Sequence, residues 1–181
     1  MKRVAIFIDG NNFYHSLKKI YGDSKNFIEF NFEKFINFLA DKREIVKIFY
    51  YNAPLDRTKD LEKYKSQQRF FEKIKKIPKF EVILCKLVKR KLKKTGELYY
   101  TIKEDDIHMA VDMVEGAADD NFDVAMLVSG DGDFVPAVKA VQKKNKSVEN
   151  IYFKKSFSGN LKRNCNKSLM LRKEILDKFF D

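Results

Sequence analysis

Tryptophan is absent from the 181 residues, cysteine and histidine occur twice each, proline three times and glycine seven times. Two cysteines, Cys85 and Cys165, cannot build a disulfide framework, so a reduced, cytosolic setting is expected. So little Pro and Gly excludes collagen-like and linker-like chains. No apolar run approaches the roughly 18 residues of a membrane span. The short run after Met1 ends on Asp9, unlike a secretory leader, and no membrane partner is expected. A nucleotide P-loop, G-x-x-x-x-G-K-S/T, is missing. Gly130-Asp131-Gly132 lacks the third glycine of a dinucleotide fingerprint, and its acids would repel a pyrophosphate. His15 and His108 have no partners at zinc spacing. Ser129 has no triad order around it. An aspartyl-phosphate phosphatase would want a second Asp where Asn11 stands.

What the chain does have is core material and positive charge. It is 44% apolar with 17 Phe, which excludes disorder. Its length suits one domain of roughly 100–200 residues. Lys+Arg 37 against Asp+Glu 26 leaves a net charge of +11. Such an excess suits a polyanion, either nucleic acid or an anionic surface, although a Lys-rich chain can also be basic without a partner.

Residues 3–8, 45–51, 123–128 and 147–153 read as buried strands, the first followed by a turn at Asp9-Gly10. Residues 80–88 read as a strand that returns over 97–102 through a turn at Lys94-Thr95-Gly96. Helical spacing places Phe32, Phe35, Ile36 and Leu39 on one buried face. A charged helix over 57–76 turns Phe70, Ile74 and Ile77 inward. A helix over 105–118 is expected to bury Ile107, Ala110, Val111 and Val114. Phe134, Val138 and Val141 mark another, with Pro136 in its first turn, and Leu169, Leu176 and Phe180 a terminal one. The alternation of strands and helices predicts a mostly parallel α/β sheet covered on both faces.

In such a sheet, ligands bind beyond the carboxyl ends of the strands. Asp9, Asp131 and Asp133 fall there, and Asp105 and Asp106 open a helix that carries Asp112 on its polar side. Each has an ordinary alternative as a turn residue or helix cap. Together they do not: two carboxylates about 4 Å apart repel by roughly 4 kcal/mol at an effective dielectric of about 20. Converging acids therefore need a cation or raised pKa values, and hard oxygen ligands suit Mg²⁺ or Mn²⁺.

Three blocks, FIDGNNFYHSL at 7–17, KEDDIHMAVDMV at 103–114 and LVSGDGDFVPAVKAV at 127–141, resemble the signature blocks of NYN-domain proteins. More narrowly, they resemble the LabA-like branch of the PIN-like nuclease superfamily. The resemblance implies a PIN-like (Rossmann-like) three-layer α/β sandwich with a mostly parallel central sheet. It would be a single domain with a core at about 3–153 and a C-terminal helical tail. It further implies a Mg²⁺- or Mn²⁺-dependent ribonuclease or a descendant of one, with RNA as partner and homo-oligomerisation left open. Asp9 and Asp131 match direct metal ligands, and Asp106, Asp112 and Asp133 match ligands or holders of metal-bound water. Asn12 and Ser129 match residues that orient the cluster or touch the scissile phosphate. Glu104 and Asp105 stand where the family usually writes Gly-Val. Near the C-terminus Ser158 and Leu161 fit the pattern, but Asn166 stands where an Asp is expected.

Lys86, Lys89, Arg90, Lys91, Lys93 and Lys94 surround the expected hairpin turn, with Tyr99 and Tyr100 on the returning strand. They read as an arm that tracks phosphates towards the acids, with a Tyr for base stacking. The alternative is a lysine-blunted edge strand. At the level of function, the alternative to a ribonuclease is a regulatory RNA-binding protein that keeps its acids without turnover.

Overall fold

The apolar run that starts at Arg3 becomes the centre of a six-stranded sheet. In the computed structural model, which describes residues 1–92 and 95–180, β1 (Arg3–Asp9) lies between β2 (Glu44–Asn52) and β6 (Val124–Val128). β3 (Phe80–Leu84) extends one side, and β7 (Ser147–Phe153) and β8 (Lys167–Leu171) the other. Every neighbouring pair is parallel. A sheet covered on both faces needs strands that are apolar throughout, and Val4–Ile8 and Val124–Val128 are buried at every position.

Successive side chains of β1 feed two layers, as strand geometry requires. Val4, Ile6 and Ile8 face α1 (Gly10–Tyr21), α2 (Phe32–Ala40) and α3 (Leu61–Lys75). Ala5 and Phe7 face α4 (Asp105–Ala118), α5 (Val135–Lys143) and α6 (Gly159–Asn164). The first layer explains the Phe content, because Phe13 alone meets the rings of Phe27, Phe30, Phe32, Phe35 and Phe153. Phe35, Ile36, Leu39, Phe70, Ile74, Val138 and Val141 are buried as their spacing indicates.

Four expectations are corrected. No turn follows β1; α1 begins at once at Gly10. The 80–88 strand is two strands, because the Cys85 N–H donates to the Asn52 carbonyl and the chain then leaves the sheet. β4 (Lys86–Lys91) instead pairs antiparallel with β5 (Leu98–Lys103) as a separate ribbon. α4 is rotated from the expected face: Met109, Met113 and Ala117 are buried, while Ile107 is 69% and Val111 45% exposed. Ala110 and Val114 are partly buried against the same layer. Finally, Leu169 belongs to β8, not to a terminal helix. A strand there covers the open edge of β7, and the helix that follows, α7 (Lys173–Leu176), is a single turn.

The chain steps outward from β1 to β3, then crosses back through the ribbon and α4 to β6. The β1/β6 boundary is therefore where the connections diverge to opposite sides, the place at which such sheets form a crevice along the carboxyl edge.

Candidate active site

Asp9 closes β1 and caps α1, one Oδ accepting the Asn12 N–H at 2.8 Å. The other accepts the Ser129 hydroxyl at 3.0 Å. Such a direct strand-to-helix step brings the backbone close to β2, and only glycine fits next. A Cβ on Gly10 would lie 2.5 Å from the Tyr50 ring and 2.6 Å from the Tyr51 carbonyl. With Asp9 only 8% exposed, burial pushes its pKa up to about 7. The hydrogen bonds from Asn12 and Ser129 oppose that rise, and the charges of Asp106 and Asp105 add to it.

Across the crevice, the loop after β6 is held from below. Asn150 of β7 donates its amide to the Ser129 carbonyl at 2.8 Å and the Leu127 carbonyl at 3.3 Å. The Ser129 hydroxyl also accepts the Asp131 N–H at 3.2 Å, and Asp131 accepts the Asp133 N–H at 2.9 Å, capping a 3-10 turn over Gly132–Phe134. Asn12 ties the two sides together, accepting the Gly130 N–H at 3.4 Å and donating to the Ser156 hydroxyl at 3.2 Å. The segment carrying Ser156 presses onto this loop so closely that a Cβ on Gly130 would lie 2.0 Å from the Ser156 carbonyl oxygen.

α4 brings its first turn to the same mouth. The Asp106 side chain reaches solvent, yet the protein packed around it, then Asp105, Asp131 and Asp133, raise its pKa to about 6. Of the pair opening α4, Asp106 acts more strongly on Asp9 than Asp105 does. Asp112 is not on an outward polar side. It faces β2 and accepts the Tyr51 hydroxyl at 2.7 Å, and its charge raises the pKa values of Tyr51 and Cys85, after burial has done so first. The crevice thus brings together Asp9, Asn12, Asp106, Ser129, Asp131 and Asp133, with Asp112 on its flank.

Among the described residues, no Lys, Arg or His ion-pairs with Asp9, Asp105, Asp106, Asp131 or Asp133. Nor do any three described His, Cys, Asp or Glu side chains form a ready-made metal cage. The donors are nonetheless all hard carboxylate oxygens, and burial first, with neighbouring carboxylates adding to it, raises the pKa values of Asp9 and Asp106. That donor set fits Mg²⁺ or Mn²⁺ in chemistry.

The basic ribbon leaves the sheet beside this mouth and leads straight into α4. Lys86, Lys89, Arg90 and Lys91 are exposed on β4; Lys93 and Lys94 lie outside the described residues. Lys86 sits 3.4 Å from Glu104. Tyr100 is tied down, donating to Asp56 at 2.9 Å with Lys59 over its ring. Tyr99, opposite Arg90, is the ring left open to solvent.

Sequence reasoning missed Asn150, Ser156 and Tyr51. An Asn inside the otherwise apolar end of β7 was a signal available for the first, since a buried amide needs partners. Ser158 caps α6 and Leu161 is buried beneath it. Asn166, standing where an acid was expected, accepts the Val148 N–H at 2.8 Å and is a structural tie.

The family model for the NYN domain matches residues 3–172. The chain is 29% identical over 150 residues to the low amplitude and bright protein LabA of Synechococcus elongatus, covering 78% of this chain and 69% of that one. A crystal structure of a protein of unknown function from Vibrio parahaemolyticus superposes with a TM-score of 0.70 at 23% identity, covering 96% of this chain and 94% of that one. The likeness to that structure is one of fold, an α/β sandwich about a parallel sheet, consistent with the PIN-like architecture.

Proposed function

This chain belongs to the NYN domain family, part of the PIN-like nuclease superfamily, and from that premise we propose that it is a metal-dependent ribonuclease. The observation that carries the reading is the crevice at the β1/β6 boundary, where carboxylates from β1, α4 and the loop after β6 meet without a neutralising side chain. Asp9 and Asp131 would hold a Mg²⁺ or Mn²⁺ ion, with Asp106 and Asp133 completing the oxygen set. Such an ion polarises the phosphoryl group and makes an attacking water more acidic.

The chain's own residues supply position. Ser129 and the Asn12 N–H fix both oxygens of Asp9. The Asn12 side chain locks the loop after β6 against the Ser156 segment, which sets where a scissile phosphate can sit. Asn150 keeps the Ser129 carbonyl turned away from the crevice. Asp112 acts from the flank through its bond to Tyr51. The exposed cations of β4 track the phosphate backbone, and Tyr99 offers a face to a base.

The test is to incubate the protein with a mixed RNA pool in Mn²⁺, in Mg²⁺ and in a chelator. Shortening of RNA only with the ions supports the reading. Retention without shortening under all three conditions replaces it with a regulatory RNA-binding protein. Changing Lys89, Arg90 and Lys91 to Ser should weaken RNA binding at low salt. The salt dependence should flatten by roughly 0.7 log units per decade for each phosphate the ribbon no longer neutralises.

A further inference from the structure

Because every pair within the six-stranded sheet is parallel, all its carboxyl ends share one edge. The basic ribbon follows β3 at one extreme of that edge, and the acid crevice lies at its middle. Beyond the ends of β7 and β8, two strand spacings or roughly 10 Å from the crevice, lies a cavity of about 470 Å³. Its floor is apolar: Phe153 and Leu171, which pair across the two strands and are almost fully buried, lie beneath the half-buried Ile20. Its rim is cationic, carrying Lys154, Lys155, Arg172 and Lys173 against the acid Glu174. Lys173 lies 3.6 Å from Asp177. Among the described residues, Lys154, Lys155 and Arg172 have no ion-pair partner.

Two pieces of chain join this cavity to the crevice. α1 gives Asn12 to the crevice and Ser16 and Ile20 to the cavity, about 6 and 12 Å further along the axis at 1.5 Å per residue. The segment after β7 gives Lys154 and Lys155 to the rim, then Ser156 to Asn12 and over Gly130. A ligand that bridges the two must be anionic, must present an apolar group to the floor at Ile20, and must repeat along its length. Single-stranded RNA has this chemistry, because its unstacked bases can be splayed into a pocket while cations hold the phosphates.

We propose that this cavity is a subsite for a nucleotide flanking the bond at the acid crevice, its base on the apolar floor and its phosphate on the cationic rim. The proposal rests on the ribonuclease reading and adds a place on this chain for the neighbouring nucleotide of a strand long enough to reach from crevice to cavity.

The experiment measures binding of a fluorescent single-stranded oligoribonucleotide to Asp9→Asn protein, which leaves the strand uncut. An abasic nucleotide is moved along the strand, and two pocket variants are compared: Ile20→Trp, which fills the floor, and Lys155→Glu/Arg172→Glu, which reverses exposed rim charges without disturbing packing. One abasic position should cost about tenfold in affinity with the parent and nothing with Ile20→Trp. The charge reversal should weaken binding about tenfold at low salt and flatten the salt dependence. A flat abasic scan together with parental affinity in both variants overturns the subsite. So does saturation of the cavity by adenosine monophosphate while RNA affinity ignores Ile20→Trp, which would make it a site for free nucleotide. Cleavage by protein with Asp9 intact is assayed separately: if it persists while the subsite fails, the ribonuclease reading stands. If the parent neither binds nor cuts RNA, both fall.

Discussion

Two groups of carboxylates occupy opposite edges of the same sheet, and the protein treats them in opposite ways. At the amino edge, Arg3 at the start of β1 ion-pairs with Asp123 at 2.9 Å and Asp120 at 3.1 Å, and Lys146 joins both acids. Hydrogen bonding from Arg3 pulls Asp123 down to about 2. At the carboxyl edge, burial lifts Asp9 to about 7 and Asp106 to about 6, and no described cation intervenes. The chain has 11 more basic than acidic residues to draw on, so the bare group is not for want of lysine. Acids that fasten strands are neutralised within the chain, whereas those at the β1/β6 crevice have no ion-pair partner among the described residues.

The hardest blow to that contrast comes from paired substitutions. Asp9→Asn or Asp131→Asn should reduce metal-dependent RNA cleavage to background while the fold remains, because Asn is as good a helix cap as Asp. Asp123→Asn should leave cleavage intact. If Asp123→Asn cut RNA no better than Asp9→Asn, the division between fastening and functional acids would collapse.

Acidification should then move the two edges in opposite directions. The folded pKa of Asp9 lies above its unfolded value, so the folded state holds the proton more tightly. Its ionisation carries no penalty below about pH 4 and a full one above about pH 7. In chelator, that difference is at most about 4 kcal/mol. The gap in melting temperature between Asp9→Asn and the parent should therefore open as pH rises from 4 to 8, and close again on adding Mn²⁺. Asp123 has a depressed pKa, so its contribution is present above about pH 4 and disappears as pH falls towards 2. A constant Asp9→Asn gap across that range would show that the Asp9 carboxylate is already compensated.

Smaller effects sharpen the picture. Arg3→Ala should lower the melting temperature by a few degrees, and by less in high salt, since these pairs are largely solvent-exposed. Glu104, just before α4, has a φ of 76°, a left-handed conformation that costs a residue with a Cβ. Glu104→Gly should stabilise the protein by about 0.5–1 kcal/mol, read as a shift in the denaturation midpoint. No gain would mean that the ion pair with Lys86 already offsets the strain.

Glu104 also shows what a sequence can and cannot disclose. It stands at the position where related chains usually write Gly, and the positive φ supplies the physical reason for that Gly. The strands were legible because burial on both faces leaves unbroken apolar runs such as Val4–Ile8. α1 was not, because Gly10, Asn11 and Asn12 are poor helix formers and the helix starts there only because Asp9 caps it. α4 offers two apolar stripes, and periodicity alone cannot choose Met109 and Met113 over Ile107 and Val111. β8 was disguised because Leu169 and Leu176 happen to fall seven residues apart. For the candidate site, the sequence placed Asp9 and Asp131 at strand ends, where the structure links both to Ser129, whereas the bond from Tyr51 to Asp112 depends on a packing angle no pattern encodes.

The position of β1 between β2 and β6 has a consequence in time. The bond from Ser129 to Asp9 spans 120 residues, and ribosomes add about 5–20 residues per second, so Ser129 is made roughly 6–24 s after Asp9. Throughout that interval the growing chain, itself tethered beside messenger and ribosomal RNA, carries Asp9 but no β6 to face it. The crevice comes into being only when the second half of the sheet docks on the first. On the ribonuclease reading, a site built across its own topological switch stays harmless to the RNA that encodes it until the chain has folded.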